Sequence, residues 1–506
     1  MKLATIALAL GVAVLLAGPA AADAGTVDNP HVALDGSGNA VAVWQSDGLV
    51  QAGVRPAGGS WGARQDISAR VGATDPQVAL DPAGDAVVVW VRSDGSNSRV
   101  QAATRAAGGP WGPPQDLFAV GQFGGGPQVA LDAGGNAVVV WVRSDGSSPS
   151  VQATVRPAGG TWATPQDLSA AGLHAYAPDL GVNAAGDAVV VWESSDSQNG
   201  SRAVVQGAVR PAGGMWSPPE DISVGDSSDP QVALDSAGNA IAAWEDFPGG
   251  GSPVEAAVRP AGGAWGDPEV VSAQDDLAIR PRIALDSAGN AVALWTRLEL
   301  SGWSVRAAAR LSGGSWGAPQ DLSASGEFAF LPELALNPAG DAVAVWSRFA
   351  ESSEVVQAAT RSAGGTWERA LDISPFPGSS YVPQVAIDSS GNTVGVWRLH
   401  TGSLAIVQAA VHPAGLPWEP LQDLTEPPPL PPLPDCIVPD VLRKTLVRAR
   451  TVIEESNCLL GRVRRAYSRK VKNGRVVSQR PGAGEELGNG ALVDLVVSRG
   501  RRSARS

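Results

Sequence analysis

Pro230-Gln231-Val232-Ala233-Leu234-Asp235 and Ala240-Ile241-Ala242-Ala243-Trp244 are two short apolar runs separated by the tight turn Ser236-Ala237-Gly238-Asn239. Gly in such a turn permits a positive φ, and Asp or Asn can bond back to the turn backbone, so the stretch reads as a β-hairpin. After a variable stretch a third run follows, Val254-Glu255-Ala256-Ala257-Val258-Arg259, then the turn Pro260-Ala261-Gly262-Gly263 and a fourth run beginning near Trp265. The runs are rich in Val and Ala, apolar on both faces, and too short for helices. Four short strands in one unit is the expectation for residues 230–270.

The unit recurs. A tryptophan closes the second run at Trp44, Trp90, Trp141, Trp192, Trp244, Trp295, Trp346 and Trp397, and another opens the fourth at Trp61, Trp111, Trp162, Trp216, Trp265, Trp316, Trp367 and Trp418. This makes eight copies at a period of about 51 residues and accounts for every tryptophan except Trp303. A lone four-stranded sheet cannot bury both apolar faces, but eight in a ring can. The period and strand count predict an eight-bladed β-propeller over residues 23–424. Two closures are open: one blade could combine strands from both ends of the region, or every blade could be a single repeat.

Two repeated features invite chemistry. The first turn carries Asp or Asn with Gly, from Asp35-Gly38-Asn39 to Asp388-Gly391-Asn392. Calcium could use those oxygens, but each turn offers few ligands, so the turn-forming role is preferred and no metal or cofactor is expected. The third run ends in Arg55, Arg105, Arg156, Arg210, Arg259, Arg310 and Arg361, with His412 in the last copy. The fourth run carries Asp66, Asp116, Asp167, Asp221, Asp321, Asp372 and Asp423, with Val270 as the odd copy. An Arg–Asp pair within each blade, or Arg stacked on the nearby Trp, is expected.

Connections between the first and second and the third and fourth runs are uniform, whereas the others vary and hold the aromatics outside the repeat. Phe123, Tyr176, Phe247, Trp303, Phe330, Phe349 and Tyr381 are therefore candidate ligand-binding residues on a variable face, where a glycan or protein would dock. Phe118 and Phe376 share that position in the repeat. The turn form D-x-x-G-N before V-x-V-W departs from the S-x-D-x-G-x-x-W motif of sialidase-like glycosidases. With no cysteine in the region and no lysine between Lys2 and Lys444, thiol and Schiff-base nucleophiles are excluded there. No catalytic residue is assigned, and the chain is read as a binding protein rather than an enzyme. A wall-tethered glycosidase or lyase is the alternative.

The N-terminus has the form of a secretory leader: Lys2, an apolar run over residues 3–16, and Ala20-Ala21-Ala22, with cleavage expected near Ala22. A secreted, wall-associated protein without membrane insertion follows. Residues 425–435 form a proline-rich linker that includes Pro427-Pro428-Pro429-Leu430-Pro431-Pro432, an extended polyproline spacer. Net charge splits sharply: of −13 overall, residues 435–506 contribute +9 and the preceding chain −22. Export sets nucleic acid aside as a counterpart for the basic end and leaves anionic wall polymer as the expected one. The only cysteines, Cys436 and Cys458, lie in this part and are expected to be bonded in an oxidising compartment.

Residues 436–500 carry Val438-Pro439-Asp440-Val441, a helix-like stretch from about Thr445 to Ser456, Gly474-x-Val476-x-x-Gln479-x-Pro481-x-x-Gly484, and Val493-x-Leu495-x-Val497-Ser498-x-Gly500. In order and spacing they resemble the PASTA family. The resemblance implies one helix on a small three-stranded sheet, and binding of peptidoglycan. Arg443 stands where the family usually has Gly, which puts the first turn in question. Arg464, Arg465 and Arg475 are candidate contacts to the wall, and residues 501–506 form a basic tail.

Overall fold

The computed structural model describes residues 27–501, apart from 118–122, 145, 147, 197–202, 250, 275, 325, 351–352, 376–377, 403, 426–434 and 489. The leader, most of the proline-rich linker, Phe118 and Phe376 therefore lie outside the described residues. The chain divides into two units, residues 1–426 and 427–506.

The first unit is eight four-stranded antiparallel sheets, each a meander of four consecutive strands. In blade 1 these are Val27–Leu34, Ala40–Ser46, Leu49–Arg55 and Gln65–Asp66. First strands touch first strands of both neighbouring blades, and Val27–Leu34 meets Ser379–Ile387 of blade 8, so the sheets close a ring with first strands innermost. Every blade is one uninterrupted repeat, which resolves the question of closure: no blade is assembled from both ends. The seam between blades 8 and 1 is held by a shared core of Val27, Val32, Trp44, Val394, Val396 and Val407. The Arg398–Asp28 ion pair (3.1 Å) and a bond from Ser389 Oγ to the Gly36 carbonyl (3.0 Å) add to it.

The core is repeated eightfold between blades. All eight second-strand tryptophans are fully buried. Burying apolar side chains on both sheet faces is worth about 25 cal/mol per Å2, which is why a sheet of alanine and valine holds only inside the ring.

The expected Arg–Asp pair is corrected. The fourth strand is two residues long, and its register sets Asp66 opposite Gln51 in the middle of the third strand, not opposite Arg55 at its end. Gln51 Nε2 donates to Asp66 (2.7 Å), and the Gln101–Asp116, Gln206–Asp221 and Gln357–Asp372 bonds repeat this. In blade 1 Trp44 Nε1 donates in turn to Gln51 Oε1 (3.1 Å), so one amide ties three strands together. Two copies depart from this pairing. Blade 5 sets Glu255 opposite Val270, and blade 6 has Arg306 paired with Asp321 at 2.7 Å. Arg105 and Arg361 instead bond the following turn, through the Gly109 (2.8 Å) and Gly365 (3.0 Å) carbonyls, and Arg55 pairs with Glu419 (3.7 Å).

The first turns are mechanical parts. Asp35 accepts from the backbone N–H groups of Ser37 and Asn39 and from Asn39 Nδ2, while Asn39 Oδ1 accepts from the Ala57 N–H in the blade's other turn. Gly84 in the next blade has φ +89°, and a Cβ there would lie 2.9 Å from Asp35 Oδ2. Glycine is needed both for the left-handed backbone and for this approach.

The second unit has the helix Leu446–Glu455 and a three-stranded sheet in the order Leu459–Ala466, Leu492–Ser498, Val476–Arg480. Ala449 and Ile453 of the helix and Val493, Leu495 and Val497 of the central strand share its core. Cys436 and Cys458 are disulfide-bonded. Arg443 holds the first turn with φ 60°, so the left-handed geometry suited to glycine is kept with an arginine in place.

Candidate functional site

Every innermost strand is interrupted by a β-bulge. At each bulge the residue before a proline is left-handed: Asn29, Asp75, Gly126, Ala177, Asp229, Arg280, Leu331 and Val382, with φ between 46° and 57°. For a residue with a Cβ this backbone costs about 1–2 kcal/mol, and a β-branched residue such as Val382 is the most strained. The proline is invariant across the eight copies while the residue before it is never settled. The scaffold is thus fixed and its occupants differ from blade to blade.

Two further positions differ in the same way and pair across the first and second strands. They give Tyr176 opposite Glu193, Ser228 opposite Glu245, Phe330 opposite Ser347 and Tyr381 opposite Arg398. Tyr176, Phe330 and Tyr381 were candidates from the sequence, whereas Glu193, Ser228, Glu245, Ser347 and Arg398, which stand opposite them or at the same positions, were missed by looking to the loops. The signal was available, since they are the points within an otherwise regular strand where the repeat loses its pattern.

The ring is chemically divided. Blades 4 and 5 contribute Tyr176, Glu193, Asp226, Asp229, Glu245 and Asp246. Among the described residues none of these carboxylates has an Arg or Lys ion-pair partner within 4 Å. Burial, with Asp229 and Asp226 nearby, lifts Glu193 to about 7. Glu245 is 8% exposed and also rises to about 7. Burial is the main cause, Asp229 and Glu193 add to it, and the bond Glu245 accepts from the Arg280 N–H (2.7 Å) works against it. Burial and the Glu193 charge both raise the Tyr176 phenol. Carboxyls poised near neutrality can give or take a proton at working pH.

Blades 6–8 contribute aromatics. Trp303 meets Phe328 and Phe330 edge-on at 5.7 and 6.0 Å, and Phe330 stacks with Phe349 at 5.1 Å. Trp303, Phe328 and Phe349 remain 36–48% exposed, enough to offer ring faces to a ligand. Arg398 lies 5.0 Å over the Tyr381 ring while pairing with Asp28. Of the sequence candidates, Trp303, Phe330 and Phe349 are thus gathered in one cluster. Tyr381 stands on the next blade, Tyr176 belongs to the acidic sector, and Phe247 adjoins that sector through its N–H bond to the Asp226 carbonyl (2.8 Å). Phe123 is exposed on blade 3 and makes no ring–ring contact among the described residues. Arg464, Arg465 and Arg475 are exposed on the second unit.

Solved structures share the propeller architecture. The BP39L lectin of Burkholderia pseudomallei is 16% identical, with a TM-score of 0.51 over 68% of this chain and 98% of the lectin. An ulvan lyase from a new polysaccharide lyase family, bound to a glucuronate–sulphorhamnose unit, is 12% identical with a TM-score of 0.46 over 76% and 96%. A leech intramolecular trans-sialidase is 9% identical with a TM-score of 0.37 over 74% and 89%. The expectation that the chain is not an enzyme is corrected. Proteins that resemble it in fold alone are named as polysaccharide lyases and sialidases as well as a lectin, so the fold does not set an enzyme aside. A family model matches the second unit, and residues 437–499 are a PASTA domain.

Proposed function

We propose that the chain is a wall-associated, glycan-active enzyme. Its propeller would cleave a glycosidic bond at the inner ring, and its PASTA domain would hold it at the cell wall. The reading rests on the juxtaposition of Tyr176, Glu193, Asp229 and Glu245 on blades 4 and 5; an exposed aromatic cluster stands on blades 6 and 7 of the same ring. Glu193, half-buried and close to its protonation midpoint at neutral pH, serves as the acid that protonates the leaving oxygen. Glu245, fixed by the Arg280 N–H, lies within electrostatic reach of it and serves as the second carboxylate. Trp303, Phe328 and Phe349 would stack on sugar rings. The PASTA domain and its disulfide accord with an extracellular site of action.

The test is release of new reducing ends from purified cell-wall glycan by the whole chain, compared with Glu193→Gln. Loss of about a hundredfold or more is expected from removing a general acid. Full activity in Glu193→Gln would dismiss the assignment, and no activity in the parent chain on any wall glycan would dismiss the enzyme reading.

A further inference from the structure

The PASTA domain has two electrical poles. At one, the turn after Leu459–Ala466 meets the end of the central strand, through bonds from Ser468 N–H to the Gly500 carbonyl and from Arg499 N–H to the Ala466 carbonyl. The helix begins at the same place, since Thr445, its N-cap, bridges to Arg475. Arg448, Arg465, Arg469, Lys470, Lys472 and Arg475 gather there, all exposed. In this domain the one ion pair among the described residues is Arg450–Glu454, which involves none of them. Glu454 and Glu455 end the helix at the opposite pole. Glu485 and Glu486 join the strand pairing beside Cys436, and Leu459 is bonded there to Ala491.

The helix makes the polarity informative. A helix favours anions at its N-terminus and cations at its C-terminus. Here the first turn has no acidic residue and the last turn no basic one; Arg448 and Arg450 stand in the first half and Glu454 and Glu455 at the end. Charges placed against the helix dipole do not serve the stability of the fold. They do add to the positive potential that the helix start already produces, on the same side as the basic turn.

We infer that this basic pole is a docking surface for a flexible phosphodiester polymer of the cell wall, rather than for the peptidoglycan strand. The charge complementarity is with a chain of evenly repeated monoanions. The surface carries several exposed cations spread over the turn, the helix start and the strand end, which suits a polymer bound through summed charge and released by salt. A muropeptide has few charges of mixed sign and would gain little from such a surface. The inference rests on wall retention by the PASTA domain and narrows its ligand; it is independent of the propeller's activity.

The experiment uses the full mature chain and co-sedimentation with sacculi, either intact or stripped of phosphodiester polymer by hydrofluoric acid, with soluble poly(glycerol phosphate) as competitor. Sedimentation with intact sacculi alone, competed by poly(glycerol phosphate) and lowered at least tenfold in affinity by Lys470→Glu/Lys472→Glu, is the expected result. Equal sedimentation with stripped sacculi would overturn the inference and leave wall retention standing. No sedimentation with either would overturn both. Arg469→Glu should act in the same direction, and its failure to do so, with the PASTA domain still protease-resistant, would also count against the basic pole.

Discussion

Replacing Gly126 by Ala isolates the backbone strain of the inner ring. Gly126 precedes a proline at φ +57°, and a Cβ built on it meets nothing within 4 Å, so no clash and almost no burial enter the comparison. Two opposed effects remain. The left-handed backbone costs Ala about 1–2 kcal/mol relative to Gly, while Ala restricts the unfolded chain and so stabilises by about 0.4–1 kcal/mol. The net expectation is a loss of roughly 0.5–1 kcal/mol. The next blade supplies the reverse experiment, because Ala177 is exposed and sits at φ 46°, so Ala177→Gly should stabilise by a similar amount. Urea unfolding followed by tryptophan fluorescence reads both, and all seventeen tryptophans lie in the propeller. The midpoints should move in opposite directions with the m-value unchanged. A neutral or stabilising Gly126→Ala would mean that the bulge relaxes to extended geometry and that the ring is not strained.

Other expectations are simpler. Burial lifts Glu193 and Glu245 to about 7 from an ordinary 4.5, so the folded protein holds protons between about pH 4.5 and 7 that the unfolded chain releases. Propeller stability should therefore fall as pH rises through that window, by up to about 3 kcal/mol for each carboxyl, and Glu193→Gln/Glu245→Gln should flatten the profile measured by urea midpoints. Gln101→Leu removes the amide that joins Trp90 Nε1 to Asp116. It should cost about 1–3 kcal/mol and, in hydrogen exchange, expose the outer strand of blade 2 before its inner strands. Reducing Cys436–Cys458 should cost the PASTA domain about 3 kcal/mol while leaving tryptophan fluorescence unchanged; a change in that signal would show coupling to the propeller.

The ring and its blade count were legible because sixteen tryptophans mark them, and the PASTA domain because its motif runs in order. The partner of the fourth-strand Asp was not legible. Arg and Asp are the obvious pair by chemistry, but only register tells that Gln51, not Arg55, stands opposite Asp66. The inner site was hidden for a similar reason. A residue before proline reads as extended, and the positive φ of Asp229 and Val382 goes with a bulge in the pairing of the first and second strands, which register alone reveals. Tyr176 was named from the sequence without its partner, because Glu193 becomes its neighbour only through the hairpin register.

The seam between blades 8 and 1 is the one junction in the ring where neighbours are not joined by chain, and its closure depends on non-covalent contacts alone, among them those of Arg398, Asp28 and Ser389. The propeller is in this sense a bracelet with a clasp. A cut at any other junction, with the old ends linked, yields a permuted bracelet with the same contacts. A single repeat can also be lost or duplicated without leaving an orphan strand. The same arrangement fixes where the ring would first come apart under heat or pull: at the clasp, with Asp28 and Tyr381 parting before the acidic sector on the opposite side is disturbed.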